Sequence, residues 1–270
     1  MSKFDSRVVL ITGASAGIGA ALAREFASEG ANLVLLARRI EQLKAIADTI
    51  DPTGKRVLCL TCDVTQNGEV EKAVEFARTK FGNIDIAIAN AGWSLKGNLE
   101  ELSLSDYRRQ WETNVFGVLR TIYATLADLK TTKGRLVIIS SVKSYLAFPG
   151  DSPYSTSKFA LRALCLSLSK ELAPYGVSVT HVCPGYVATE IRRVDNRGVF
   201  QPDWSDPASP KLLKTPEQTA KEIVKAIDRR QTEQVLTLYG KLAVLMQRHF
   251  PWLLSWIISR WEIKVVAKKN

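Results

Sequence analysis

Two histidines and four cysteines in 270 residues leave little from which to build a metal centre. A zinc site takes about four such ligands, and His181 and His249 stand far apart in the chain, so no metal is expected. Cys59 and Cys62 form a C-x-x-C, but they fall in the apolar run Val57-Leu58-Cys59-Leu60-Thr61-Cys62, which reads as a strand with buried thiols. No polar or Gly/Ser-rich linker interrupts the chain, which suits a single domain. The opening Met1-Ser2-Lys3-Phe4-Asp5 leads directly into a strand and lacks the apolar core of a secretion signal. A reducing, cytoplasmic compartment is therefore expected, with the inner face of a membrane as the alternative address. Lys and Arg outnumber Asp and Glu, 37 to 27, for a formal net charge of +10. These cations are scattered rather than gathered into a stripe with interleaved aromatics, which argues against nucleic acid as a partner.

What is present is an ordinary globular balance, 46% hydrophobic and 24% charged residues, enough to bury a core without staples. Short β-branched runs alternate with longer segments of helical period. Val8 to Ile11 is followed by Ala20 to Ser28, and Leu33 to Leu36 by Glu41 to Thr49. The rhythm continues with strands near 57–61, 84–89, 135–140, 177–182 and 234–238, and helices near 68–80, 105–130, 154–173 and 217–229. It predicts an α/β fold: a Rossmann-type, doubly wound, seven-stranded parallel sheet with helices on both faces. Residues 1–240 would form this domain, with a mobile lid at about 190–215, and residues 241–270 a C-terminal apolar helical tail.

The first strand runs into Thr12-Gly13-Ala14-Ser15-Ala16-Gly17-Ile18-Gly19 and then a helix. Glycines stand where a backbone must turn tightly and approach a diphosphate, and the helix start supplies free N–H groups and a positive dipole end. A plain tight turn is the bland alternative. After the second strand comes Ala37-Arg38-Arg39, where a free ribose 2′-hydroxyl would need an acidic partner. Ala37 cannot serve, whereas guanidinium groups match a 2′-phosphate. NADP(H) is favoured over NAD(H), although two solvated loop arginines would look the same.

Further on, Ser140-Ser141-Val142 ends a strand and Pro153-Tyr154-Ser155-Thr156-Ser157-Lys158 opens a helix. Tyr154 and Lys158, four apart, share a helix face. An ammonium near a phenol lowers its pKa from about 10 and makes it a usable acid or base. Reduction of a carbonyl leaves an alkoxide that needs donors and a proton, and Ser141 with Tyr154 can supply both.

Taken together, Thr12 to Gly19, Asp63-Val64, Asn90-Ala91-Gly92, Asn114, Ser141, Tyr154, Lys158 and Pro184-Gly185 through Thr189 resemble the short-chain dehydrogenase/reductase family over about residues 7–240. The resemblance implies Tyr154 as general acid/base, Ser141 as hydrogen-bond partner of the substrate oxygen, and Lys158 as ligand of the nicotinamide ribose that also lowers the Tyr154 pKa. Asn114 would belong to a water relay. Gly13, Ser15, Gly17, Ile18 and Gly19 would cradle the diphosphate, with Arg38 and Arg39 at the 2′-phosphate and Asp63 and Val64 beside the adenine. Asn90, Ala91 and Gly92 would floor the ribose site, and Pro184, Gly185, Val187 and Thr189 would meet the nicotinamide. The family often has a second Asn before Asn90; Ala89 stands there, and altered strand packing rather than lost cofactor binding is expected.

The implied activity is hydride transfer between NADP(H) and a carbonyl or secondary alcohol, in the reductive sense if cellular NADP(H) is kept reduced. The residues placed above the nicotinamide, Trp93, Leu95, Val142 to Phe148, Tyr186, Val194, Val199, Phe200 and Trp204, are mostly apolar and favour a lipid-like, steroid-like or other hydrophobic ketone over a sugar, although the lid aromatics could equally be core. Alternatives are a membrane-associated 3-ketoacyl or ketosphingoid-type lipid reductase, and a regulatory NADP-binding module without turnover. The long helices at 105–130 and 154–173 resemble the family's dimer-forming pair, so a homodimer or higher homo-oligomer is expected. The tail holds Trp252, Trp256 and Trp261 among basic residues. Its apolar stretch Phe250 to Ser259 has ten residues, against the ~20 of a membrane span. Residues 248–269 could lie on an anionic membrane surface or be buried against protein.

Overall fold

The computed structural model describes residues 2–206 and 208–266, with side-chain detail for all of these but 258 and 260–266. Seven strands, β1 (Val8–Thr12), β2 (Asn32–Ala37), β3 (Val57–Thr61), β4 (Ile86–Ala89), β5 (Arg135–Ile139), β6 (Ser178–Cys183) and β7 (Glu233–Val235), form one sheet. The strand order is β3-β2-β1-β4-β5-β6-β7, and every neighbouring pair is parallel. This is the doubly wound α/β architecture, with its reversal of strand order between β1 and β4. The helices are α1 (Gly17–Ser28), α2 (Ile40–Ile50), α3 (Glu69–Phe81), α4 (Leu104–Trp111), α5 (Gly117–Thr132), α6 (Ser152–Glu171), α7 (Pro216–Asp228), α8 (Leu238–His249) and α9 (Pro251–Val266).

Alternate residues of the central strands feed two cores, as the pleat requires. Val9, Ile11, Leu33 and Leu35 pack with Leu22 and Phe26 of α1, Leu43 of α2 and Ile223 of α7. Val8, Leu10, Val34 and Leu36 pack on the other face with Val74 of α3, Ile122 of α5 and Leu161 of α6. Each of these side chains contributes about 1.5–3 kcal/mol of burial, which makes the sheet a rigid base for the loops at its carboxyl edge.

Three local departures from the sequence reading bear on the site. The expected helix 105–130 is interrupted by a π-helical turn, Glu112–Phe116, which widens the spiral and swings Asn114 inward. The expected strand 234–238 stops at Val235, because the Thr237 hydroxyl accepts from the Gly240 N–H and caps α8. The helical tail therefore begins at Leu238 rather than 241. The third is β3, an edge strand, which leaves Cys59 only half-covered while Cys62 is buried; both are free thiols. Ala89, by contrast, ends β4 in regular pairing with Ile138, so the strand is undisturbed.

The described residues of segment 190–215 form short turns braced from within and tied to the body where Asn196 bonds Lys96 and Arg109. Asp195 accepts from the Arg197 and Val199 N–H groups and from Gln201. Arg192 grips Asp206, and the Arg193 guanidinium stacks 4.8 Å over the Phe200 ring. Val244 of α8 and Leu254 of α9 are buried against Tyr145, Leu146, Cys183 and Val235. Other faces of this helical pair stay open, with Leu238 at 85% and Trp252 at 70% exposure. Among the described residues no helix is long and apolar enough to cross a membrane. Lys268 and Lys269 lie outside the described residues, as do the side chains of Arg260, Trp261 and Lys264.

Candidate functional site

The loops after β1, β4, β5 and β6 converge at the strand-order reversal. After β1, Gly13 and Gly17 take positive φ, at 65° and 55°, the region that a Cβ disfavours. A Cβ on Gly13 would lie 2.8 Å from Ala91 Cα, and one on Gly17 would lie 3.0 Å from the Thr189 methyl carbon. The glycine loop thus packs directly on the Asn90–Gly92 loop and faces the loop after β6. Asn90 Nδ2 locks the arrangement by donating to Thr12 O at 2.9 Å and Gly13 O at 3.1 Å. Thr12 Oγ1 accepts from the Asn90 and Ala91 N–H groups. The N-cap of α1 is Ala16, which brings no side-chain acceptor, and the first turn holds no acidic residue. Its N–H groups are left to an anion, the arrangement that suits a diphosphate.

Ser15 and Thr189 flank a groove of about 890 Å³ that runs past Arg24 and Glu190 to Trp204. Ala37 is the last residue of β2 and is buried; Arg38 beyond it is exposed. Arg39 reaches back to Ser15 Oγ and pairs with Glu190 at 3.1 Å, so one of the two expected phosphate ligands already has an anionic partner. Asp63 accepts from the Thr65 N–H and hydroxyl, while buried Val64 packs on Gly117 at the start of α5.

Beyond the glycine loop, beside the Asn90–Gly92 loop, Asn114, Ser141, Tyr154 and Lys158 are all buried and close together. The π-turn presents Asn114, whose amide donates to Trp93 O and Ser157 Oγ and whose oxygen accepts from the Trp93 N–H. Lys158 Nζ donates to Ile139 O at 3.1 Å and lies 5.5 Å from the Tyr154 ring centre. A Cβ on Gly92 would lie 3.8 Å from this ammonium, so the cation stands directly above the floor loop. Lys143 Nζ also lies near Tyr154, 5.6 Å from the ring centre, and is paired with Asp151.

Burial dominates the titration of this pair. It raises the Tyr154 pKa to about 12, with a hydrogen bond from Ser141 acting in the opposite direction. It lowers Lys158 to about 8. The expectation that Lys158 lowers the Tyr154 pKa is therefore corrected for the protein by itself. The ammonium donates to the Ile139 carbonyl, and the groups that act on Tyr154 are burial first, then Ser141, Asp151 and Arg192. Tyr154 is held as a neutral phenol.

Several contributing residues escaped the sequence reading. Gln110, fully buried, accepts from the Leu95 N–H at 2.7 Å and donates to Trp93 O at 2.8 Å, so with Asn114 it clamps loop 93–95. The Tyr239 hydroxyl accepts from the Tyr186 N–H, and a Cβ on Gly185 would collide with it and with the Thr237 hydroxyl. The start of α8 is thus a wall of the loop after β6. Val187 pairs with Lys214 beyond it. The only sequence signal was the T-x-x-G cap at Thr237, legible once α8 is known.

The expected apolar substrate lining is only partly met. Leu95, Tyr145 and Leu146 are buried, the last two because α8 and α9 cover the far side of loop 142–146. What lines the adjoining cavity of about 450 Å³ is Ser94, Lys96, Arg192, Asp195 and Arg197 together with Val194 and Trp204.

Known proteins are similar to this chain in sequence and in fold. Residues 7–199 match the family model described as short chain dehydrogenase, and the chain belongs to the short-chain dehydrogenase/reductase family. Oxidoreductase UcpA of Salmonella typhimurium is 36% identical over 248 residues, 91% of this chain and 89% of its own length. Glycine betaine reductase ATRR of Emericella nidulans is 34% identical over 86% of this chain, but this chain spans only 18% of its length. Among solved structures, an alcohol dehydrogenase from Thermococcus sibiricus complexed with 5-hydroxy-NADP superimposes with a TM-score of 0.74 at 30% identity, covering 86% of this chain and 97% of its own. A short-chain dehydrogenase/reductase from Burkholderia phymatum in complex with NAD gives 0.82 at 25% identity, over 94% and 96%. The protein is an oxidoreductase of a nicotinamide-dependent family.

Proposed function

We propose that the protein is an NADP(H)-dependent reductase of ketones, with Tyr154 as the proton donor. The observation that carries this reading is the buried cluster of Tyr154, Lys158 and Asn114 with Ser141, in which the phenol is held neutral. When bound, the cofactor supplies a hydride to the carbonyl carbon. Ser141 and Tyr154 hold the carbonyl oxygen, and Tyr154 delivers its proton there as negative charge develops. Lys158, kept buried above Gly92, holds the cofactor's ribose and meets the phenolate left behind with its positive charge. Asn114 and Gln110 fix loop 93–95 so that water is kept from the reacting atoms. The α1 N-terminus and the Gly13–Gly19 loop take the diphosphate, and Asp63, Val64, Asn90, Ala91, Pro184, Gly185, Val187 and Thr189 line the rest of the cofactor's path. Ala37 and Arg38 support NADP(H) over NAD(H), because no acidic side chain stands where a 2′-hydroxyl would bind.

The test is NADPH consumption across a panel of ketones, with NADH in parallel. Turnover that prefers NADPH and reverses toward NADH in Ala37→Asp with Arg38→Ala supports the assignment. Preference for NADH in the unmodified protein overturns it. A homodimer is supported by apolar side chains seven apart on two helices, Phe116 and Tyr123 at α5 and Phe159 and Leu166 on α6, all exposed. Leu238, Leu242 and Leu245 of α8 and Trp252 of α9 are also exposed, and with Lys241 they suit contact with an anionic lipid surface.

A further inference from the structure

We propose that the substrate carries an anionic group, a carboxylate or its equivalent, alongside the carbonyl, and that Lys96 receives it in the cavity it lines with Ser94 and Arg192. This rests on the reading of Tyr154 as proton donor and narrows the substrate class.

Three cations line that cavity, Lys96, Arg192 and Arg197, against one carboxylate, Asp195. The carboxylate is spent: it holds the turn 195–201 through two backbone N–H groups and Gln201. Arg192 is balanced by Asp206 and by Val187 O, and its guanidinium stacks 5.4 Å over Tyr186. Lys143, which also acts on Lys96, is balanced by Asp151. Two cations differ, since among the described residues neither the Arg197 guanidinium nor the Lys96 ammonium has an ion-pair or hydrogen-bond partner; of the two, the one that feels Asp151, a residue that also acts on Tyr154, is Lys96. Its backbone, by contrast, is held on both sides, the N–H by Asn196 Oδ1 at 3.0 Å and the carbonyl by Asn196 Nδ2 at 2.6 Å. The chain therefore fixes the base of a lysine and leaves its charge for something else.

The surroundings make that charge costly without a ligand. Lys96 is exposed as a residue, but desolvation of its ammonium, with the neighbouring charges of Lys143 and Arg192, pushes its pKa down, with Asp151 and Asp206 opposing. Asp151 and Arg192 act on Tyr154 as well, so the cavity and the phenol share one electrostatic neighbourhood. A ligand that spans both would place its oxygen at Tyr154 and its anion at Lys96. It would relieve the repulsion among the cations, whereas a neutral ketone of the same shape would leave it in place. The apolar parts of the lining, Val194 and Trp204, accommodate the carbon chain between the two ends.

The probes are straight-chain oxo acids of graded carboxylate-to-ketone spacing, each beside its methyl ester. Each is titrated calorimetrically into the protein–NADP⁺ complex, which cannot reduce it, and assayed separately for NADPH consumption. At the best spacing the acid should bind about tenfold or more tighter than its ester, the ratio expected of one charge-assisted hydrogen bond. Lys96→Gln should bring the ratio near one and Lys96→Arg should keep it. Lys170→Gln, at an exposed position on α6, should keep it too, which separates a local contact from the general positive field. Esters that bind as well as acids at every spacing, or a ratio unchanged in Lys96→Gln, overturn the inference. Acid binding at Lys96 without NADPH consumption would retire the reductase reading and leave the anion site standing; consumption without acid preference would do the reverse.

Discussion

Replacing Gly19 with alanine sets two effects of opposite sign against each other. Gly19 lies in the first turns of α1, and in an open helix the change would gain about 1 kcal/mol of propensity. Here the new methyl would collide with Gly13 O and lie 2.7 Å from Asn90 Nδ2 and 3.0 Å from Ala14 Cα. Two of those three neighbours are backbone, so they cannot rotate away. Overpacking of this kind costs about 1–3 kcal/mol, and displacing the Asn90 amide forfeits two hydrogen bonds worth about 1 kcal/mol each. Sterics outweigh propensity, and the net loss should be roughly 2–4 kcal/mol, a fall in Tm of roughly 4–16 °C for a chain of this size. Because the displaced atoms form the glycine loop, NADPH affinity should fall as well, read by the fluorescence of the bound cofactor. Gly54→Ala is the control. Its φ of 66° is unfavourable for alanine, but nothing lies within 4 Å of the added methyl, so it should cost about 1–2 kcal/mol and leave NADPH affinity unchanged. A Gly19→Ala protein that melts no lower than the parent and binds NADPH equally would refute the loop geometry.

Three further outcomes follow from the site. Lys158 has a folded pKa of about 8 against 10.5 for an ordinary lysine. Between those values the unfolded chain binds the extra proton, so stability should climb as pH rises through that window. Lys158→Met should flatten the climb in urea titrations; a slope unchanged by the mutation would contradict the burial argument. Above pH 10 the trend reverses, because Tyr154 stays protonated in the folded state to about 12. Tyr239→Phe removes the acceptor of the Tyr186 N–H and should cost about 1 kcal/mol while raising the KM for NADPH; an unchanged KM would detach α8 from the cofactor loop. Arg248→Met breaks the contact of α8 with Tyr145 and Glu233. It should cost about 1 kcal/mol, since the side chain is half exposed, and should speed protease cutting after residue 238; equal cutting rates would argue against this latch.

The sheet was legible because its central strands are buried on both faces and read as unbroken β-branched runs such as Val8-Val9-Leu10-Ile11. The glycine loop and the Tyr154/Lys158 spacing were legible because each is a local pattern with a local geometric reason. The π-turn at Glu112–Phe116 was not, because one extra residue in a helical turn leaves the apolar period nearly intact, and it is that turn which points Asn114 inward. The tail was legible only as two alternatives, a membrane surface or burial against protein; Val244 and Leu254 are spent on the core behind loop 142–146, while other faces of the pair stay exposed. That packing in turn draws Tyr145 and Leu146 away from the substrate side and leaves it more polar than a residue inventory suggests. The direction of the Tyr154 shift was missed for the same reason, since burial depth is set by elements far apart in sequence.

The central claim is that hydride passes from the cofactor to a ketone while Tyr154 supplies the proton. Its most direct test uses NADPH carrying deuterium at the transferring carbon, with the product alcohol analysed by mass spectrometry for the native protein and for Tyr154→Phe. The account predicts one deuterium on the carbinol carbon and a loss of about 10²-fold or more in rate for Tyr154→Phe with NADPH binding retained. Product without deuterium, or full-rate transfer in Tyr154→Phe, would contradict it.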